Sequence, residues 1–260
     1  MFGQVLATEF MKLHRAKATW ATLAVFALMP LGIGLFMWIV REPGRAAELG
    51  LLGTKASLAG LEATWPEYFY MLTLVFGVGG MLLLAFIVAY LFGREYRDAT
   101  AKNMLALPVD RHWFVVAKLA VAALWWAALS VLVLVEAMGI GLAMGLPQFS
   151  AELATTGIAH VLVAAAISFL LAPAVAWIAV ATRSEVAPIA FALVMLALGN
   201  LFGKTGWAEW FPYSIVPLLI GMVADPVDSL PAGSYLVLAG TFVAGVAATI
   251  LQLRFADNAQ

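Results

Sequence analysis

The sequence predicts an all-α, polytopic membrane protein: six transmembrane helices preceded by an N-terminal interfacial helix, with both termini in the cytoplasm. Three observations lead there. Of the 260 residues, 64% are hydrophobic and 11% charged, where an average soluble domain is about 25% charged. The charges gather in short clusters between apolar runs that reach the roughly 20 residues a bilayer-crossing helix needs. Those runs are continuous and lack the period-2 alternation of a membrane barrel.

Residues 1–17 predict an amphipathic helix at the inner interface. Phe2, Val5, Leu6, Phe10 and Leu13 fall on one face, with Gln4, Thr8, Lys12 and Arg15 away from it. Glu9 breaks the pattern, because seven residues after Phe2 it lands inside the apolar stripe. A carboxylate in hydrocarbon is costly. Either the helix is rotated or frayed enough to hydrate Glu9, or this face meets protein that offers a basic partner.

Six spans follow, at about 18–40, 68–92, 114–145, 155–181, 186–202 and 235–253. The first is too long for the apolar core of a signal peptide and lacks a convincing small-residue cleavage site, so it reads as an uncleaved span. Basic residues set the orientation. With the N-terminus inside, the cytoplasmic segments hold Lys12, Arg15, Lys17, Arg94, Arg97, Lys102, Arg111, Lys118, Arg183 and Arg254, and the outer ones only Arg41, Arg45, Lys55 and Lys204. Outside, 41–66 can carry at most a short helix. Residues 203–234 read as an interfacial or re-entrant element, because 214–224 is apolar but too short to span and follows Trp207, Trp210, Phe211 and Tyr213.

Several functions are excluded. A net charge of −1 without a basic tail argues against a nucleic-acid partner, and the lack of cysteine rules out disulfides and thiol chemistry. His14, His112 and His160 are too scattered to suggest a metal site, and the hydrolase and zinc-protease motifs are missing. Gly199, Gly203, Lys204 and Thr205 imitate a phosphate-binding loop, but three residues separate the glycines where the true motif has four. No catalytic residue, metal or cofactor is therefore expected in this chain. The two halves share neither loop lengths nor motifs, so a duplicated carrier is not indicated.

Two groups of ionisable residues remain. Glu136 and His160 lie inside the third and fourth spans, each twelve residues from residue 148 and hence at similar depth. They either reach water or headgroups independently or form a buried pair that fixes the hairpin or lines a substrate path. Gly141 and Gly145, at small-xxx-small spacing, are candidate points of close packing between two chains. The most polar stretch is Gly93 to Lys118. On one helix Glu95 and Asp98 would lie a turn apart and Asp98 would pair with Lys102. Pro108 would stop that helix, and Asp110 would cap the third span.

This stretch resembles the signature of type-2 ABC exporter permeases. In that family an acidic residue, a helical Thr-x-Lys step, a Leu-x-Leu-Pro turn and a later Arg and Lys lie between the second and third spans. Glu95, Thr100, Lys102, Asn103, Leu105, Leu107, Pro108, Arg111 and Lys118 match it. Glu9, Lys12 and Leu13 are similar to the family's elbow helix, and the chain looks most like bacitracin-resistance and lantibiotic-immunity permeases. Family members often have Gly before the Thr and Ser before the Arg, where this chain has Ala99 and Asp110.

The resemblance implies a permease subunit in the bacterial inner membrane, acting as half of an exporter. A second permease chain would complete the transmembrane pathway, as a homodimer or heterodimer. ATP and magnesium would bind in a separate cytoplasmic ATPase contacted by the 93–113 segment, with Glu95, Arg97, Asp98, Thr100, Lys102, Asn103, Leu105, Pro108 and Arg111 as the coupling residues. Independently of the resemblance, an apolar interior with few charges suits a hydrophobic or amphipathic cargo, a peptide, lipid or drug, and composition does not choose among them. The alternative class is a secondary transporter or channel without an ATPase, which would use midplane ionisable residues such as Glu136.

Overall fold

A computed structural model describes residues 2–51, 61–101, 103, 106, 108–221 and 230–255. Those residues form helices and turns, with no strand among them. Helix α1 (Phe2–His14) is followed by α2 (Lys17–Arg41) and the short α3 (Pro43–Glu48). Next come α4 (Trp65–Leu74), a π-helical turn (Val75–Gly79) and α5 (Gly80–Arg97), which together make one apolar rod of 33 residues. Helix α6 (Arg111–Ala143) precedes α7 (Ala151–Leu170) and α8 (Ala172–Thr182), again one rod, broken at Leu171 just before Pro173. Helices α9 (Val186–Phe202), α10 (Ile215–Leu219) and α11 (Ala232–Phe255) complete the chain.

Among the described residues five rods are long and apolar enough to cross a bilayer, and α9, with 17 residues, is the shorter sixth. Each rod follows from an apolar run, and its ends follow from local chemistry. Ser150 caps α7 by accepting a hydrogen bond from Leu153 N–H at 3.0 Å. Asp110 occupies the equivalent place before α6 but makes no capping bond with its side chain, contrary to the sequence expectation.

The core runs through α4, α5, α6 and α8. Trp65, Tyr68, Phe76, Leu91 and Leu129 are almost wholly enclosed; Phe26 meets Phe76 and Trp126 edge-on at 5.8 and 5.6 Å, and the Phe76 and Trp126 rings lie tilted at 5.0 Å. By contrast, α2 and α11 expose broad apolar faces, including Leu28, Leu31 and Leu35 on one and Leu236, Val243 and Leu251 on the other.

Two readings of the sequence are narrowed by the packing. Gly141 is buried within the chain, where a Cβ would collide with the Trp65 ring, so it packs α6 against α4 and is not a contact point for a second chain. Gly145 serves the turn after α6: its φ of 60° is left-handed, and Leu146 N–H bonds back to Gly141 C=O at 3.2 Å. Glu136 and His160 are not a pair either, since no hydrogen bond or ion pair joins them among the described residues. Equal depth did not fix azimuth. Helix α6 meets α7 where Trp126 Nε1 donates to Ala165 C=O at 2.9 Å. At 100° per residue, His160 lies about 140° around α7 from Ala165, and it is exposed. Glu136 shares a flank with Trp125 and Ile140, which touch Thr22 and Gly34 of α2. It is half-buried, and its enclosed Oε2 has no hydrogen-bond partner.

Residues 203–221 form turns, a 3-10 turn (Pro212–Ser214) and α10 rather than a further rod. Trp207 and Trp210 are exposed, while Tyr213 and Ile215 to Leu218 are buried, with Val216 and Ile220 packed on Gly77 of the π-helical turn. The continuation toward Asp228 lies outside the described residues.

Candidate functional site

At the end of the bundle that the basic-residue bias assigns to the cytoplasm, α1 lies along the start of α6. Phe2 packs on Trp113, with ring centroids 4.9 Å apart. This contact turns the face carrying Glu9 toward protein, and Glu9 and Leu13 become the buried residues of α1.

Glu9 then has two basic partners. Lys118 Nζ, two turns into α6, donates to Glu9 Oε2 at 2.8 Å, to Glu95 Oε1 at 3.0 Å and to Leu91 C=O at 2.8 Å. Lys12 Nζ donates to Glu9 Oε1 at 2.8 Å and to Glu95 Oε1 at 2.9 Å. Two carboxylates and two ammonium groups thus close a neutral cluster that ties α1, α5 and α6 together. Glu9, Glu95 and Lys118 are only 2 to 3% exposed. Burial opposes the charge on Lys12, but Glu9 and Glu95 outweigh it and hold its pKa above the ordinary value.

The chain reversal after α5 completes this arrangement. Ala99 adopts a left-handed φ of 54°. Thr100 N–H bonds back to Glu95 C=O at 2.9 Å and Ala99 N–H to Tyr96 C=O at 3.2 Å, the double bond of a Schellman turn. The turn swings Thr100 Oγ1 over the Glu95 carboxylate, to which it donates. The family's frequent Gly before Thr finds its physical reason in this left-handed residue. It also ends the helix at Arg97, so Asp98 takes its hydrogen bond from Arg97 Nε at 3.0 Å. The expected partner Lys102 lies outside the described residues, as do Leu105 and Leu107.

A second link leads to the turn between α8 and α9. Arg97 Nη1 donates to Glu185 Oε2 at 2.8 Å, and the turn is seated on Gly93, where a Cβ would come within 2.6 Å of Glu185 Cγ and 3.1 Å of Ser184 C=O. A third link fixes the last helix, because Arg111 Nη1 donates to the C-terminal carbonyls of α11, Leu253 and Arg254. Asn103, Val109 and Thr100, from the loop, face Gln4 and Thr8 of α1 across an open cleft of about 470 Å³ that has the Glu9–Lys12–Glu95 cluster at its base. Pro108 lies at the exposed bend just before Val109.

Sequence reasoning selected Glu9, Lys12, Glu95 and Thr100 but missed the pivot. Lys118 was one matching position of a motif; its centrality shows only when α1 and α5 are folded against α6. A signal was present in the lysine's position, about one turn inside an apolar run and without a carboxylate one turn away in sequence.

A family model for ABC-2 family transporter proteins matches residues 5–199, most of the chain. The chain belongs to the ABC-2 transporter family. It is also 28% identical over 178 residues to the bacitracin transport permease protein BCRB of Bacillus licheniformis, covering 68% of this chain and 85% of that protein. This ABC-2 family member is therefore a membrane subunit of an ABC transporter and a multi-pass cell-membrane protein, as its apolar rods require.

Proposed function

We propose that this chain is the permease subunit of an ATP-driven exporter, with hydrolysis carried out by a separate ATPase docked on the cleft between α1 and Thr100, Asn103 and Val109. The observation that carries this reading is the buried Glu9–Lys12–Glu95–Lys118 cluster. It makes the N-terminal helix, the turn after α5 and the base of α6 one unit, so force applied at the cleft reaches three rods together rather than bending a loop. Two chains pair, as a homodimer or heterodimer, and closure of the ATPase dimer moves this unit to open the pathway outward. The cargo is hydrophobic or amphipathic. The relative's name concerns bacitracin transport, which makes bacitracin the first substrate to test.

Because the sequence has no cysteine, Asn103→Cys provides a single reactive site beside the cleft. Co-expressed with the ATPase encoded by a neighbouring gene, it should cross-link to that subunit, while Trp207→Cys on the opposite end should not. Bacitracin should change the ATPase rate of the reconstituted complex. Ion-gradient-driven transport by this chain without any ATPase would overturn the proposal.

A further inference from the structure

A second cleft, of about 540 Å³, opens between α1, the start of α2 and the end of α5. Five cationic residues line it, namely Lys12, Arg15, Lys17, Arg94 and Arg97, and no acidic residue does. Two of these charges are already matched: Lys12 by Glu9 and Glu95, Arg97 by Asp98 and Glu185. Arg15, Lys17 and Arg94 have no ion-pair partner among the described residues.

Arg94 is the most telling of the three. Its guanidinium lies over the Tyr90 ring, 5.5 Å from the centroid, and its Nη1 is enclosed without a hydrogen-bond acceptor. An unpaired guanidinium nitrogen is costly, and Arg94 is only half-buried in the cleft wall, so an acceptor seated in the cleft can engage this guanidinium. The cleft is also at the right depth for a lipid. Helix α2 starts at Lys17, and Trp20, one turn later, is 66% exposed, as expected of an aromatic side chain at headgroup level.

We infer that this cleft binds the phosphate of an anionic lipid headgroup, with Arg15, Lys17 and Arg94 as its counter-charges. A phosphate offers several acceptor oxygens to a convergent set of donors, and its acyl chains would lie along the exposed apolar face of α2. The inference rests on the membrane placement of α2 and does not require the ATPase.

The test is a titration of the full-length chain in neutral detergent with phosphatidylglycerol, read by native mass spectrometry as lipid retained per chain. One phosphatidylglycerol should bind saturably, and phosphatidylcholine should not. Arg15→Gln with Lys17→Gln should weaken binding about 30-fold, equivalent to about 2 kcal/mol at 1.4 kcal/mol per tenfold, or about one for each cation at the membrane surface. Arg94→Gln should also weaken it. Arg45→Gln with Lys204→Gln, which removes two charges elsewhere, should leave it unchanged. Arg15 and Lys17 are exposed, so their variants should keep the parent's thermal unfolding profile. Undiminished binding in the Arg15/Lys17 variant, or equal binding of phosphatidylcholine, would overturn the inference. Displacement of the lipid by millimolar inorganic phosphate would show a free-anion site and overturn it equally.

Discussion

Replacing Lys118 by Met removes one ammonium group while keeping a stem of similar length, and it isolates the worth of the buried cluster. In the parent, Lys118 donates to Glu9, Glu95 and the Leu91 carbonyl at 2.8 to 3.0 Å. Its loss leaves two enclosed carboxylates sharing Lys12, the one member of the cluster that is not buried, and puts a net negative charge on a largely buried site. Breaking a buried pair by removing one partner costs about 3–5 kcal/mol. Glu9→Gln alone strands the opposite charge, with two ammonium groups facing Glu95. The double variant Glu9→Gln/Lys118→Met leaves a neutral Lys12–Glu95 pair. Its loss should therefore be smaller than the sum of the single losses by about 1–3 kcal/mol. Reversible unfolding in mixed micelles, followed by the fluorescence of the nine tryptophans, measures all four corners of the cycle. Additivity within about 0.5 kcal/mol, or a Lys118→Met variant as stable as the parent, would refute the charge-balance argument.

Further outcomes follow from the same end of the molecule. Gly93→Ala places a methyl group against Glu185 and the Ser184 carbonyl and should cost about 1–3 kcal/mol in the same titration; no change would mean that the turn between α8 and α9 is not seated there. Ala99→Gly relieves a left-handed φ of 54° and should raise stability by about 0.5–1 kcal/mol, whereas Ala99→Val should lower it. Lys12 has its pKa raised above 10.5, so its stabilising contribution is fully present below the unfolded value and is lost as pH rises through the folded one. Unfolding midpoints measured from pH 7 to 11 should accordingly show a Lys12-dependent loss only above about pH 10, absent from Lys12→Met.

How much of this was legible in the sequence depends on the range of the cause. The apolar rods were, because crossing a bilayer is a local demand on about 20 consecutive residues, and 186–202 emerges as α9 with the same bounds. The misplaced carboxylate at Glu9 was legible as a conflict but only half in its resolution: Lys12 is three residues away on the same helix, whereas the buried partner Lys118 sits 109 residues away on α6. The breaks inside rods were less visible. Nothing in Val75–Gly79 demands a π-helical turn, although it sits where α10 packs from the far side. Helical phase was the weakest point. Glu136 and His160 were matched by depth alone, and the 100° advance per residue places one toward α2 and the other outward. Gly141 and Gly145 were joined by spacing alone, while one accommodates a tryptophan ring and the other a left-handed turn.

The three polar links at this end of the bundle differ in a way that bears on transmission of motion. In the Glu9–Lys12–Glu95–Lys118 cluster all members but Lys12 are buried, so separating α1, α5 and α6 would break the Lys12–Glu95, Lys118–Glu9 and Lys118–Glu95 bonds together, and these elements should move as one body. The Arg97–Glu185 pair is different, because Arg97 is about half exposed. Exposed pairs contribute about 0–1 kcal/mol and can exchange with water. Arg111 holds α11 through carbonyls that water can also satisfy. A displacement of the α1–α5–α6 unit therefore meets its strongest resistance inside the unit and its weakest at the junctions with the α8–α9 turn and α11. A rigid unit bordered by weak polar contacts is the arrangement needed for a small push at the cleft to become a hinge or shear motion between groups of rods, rather than local unfolding.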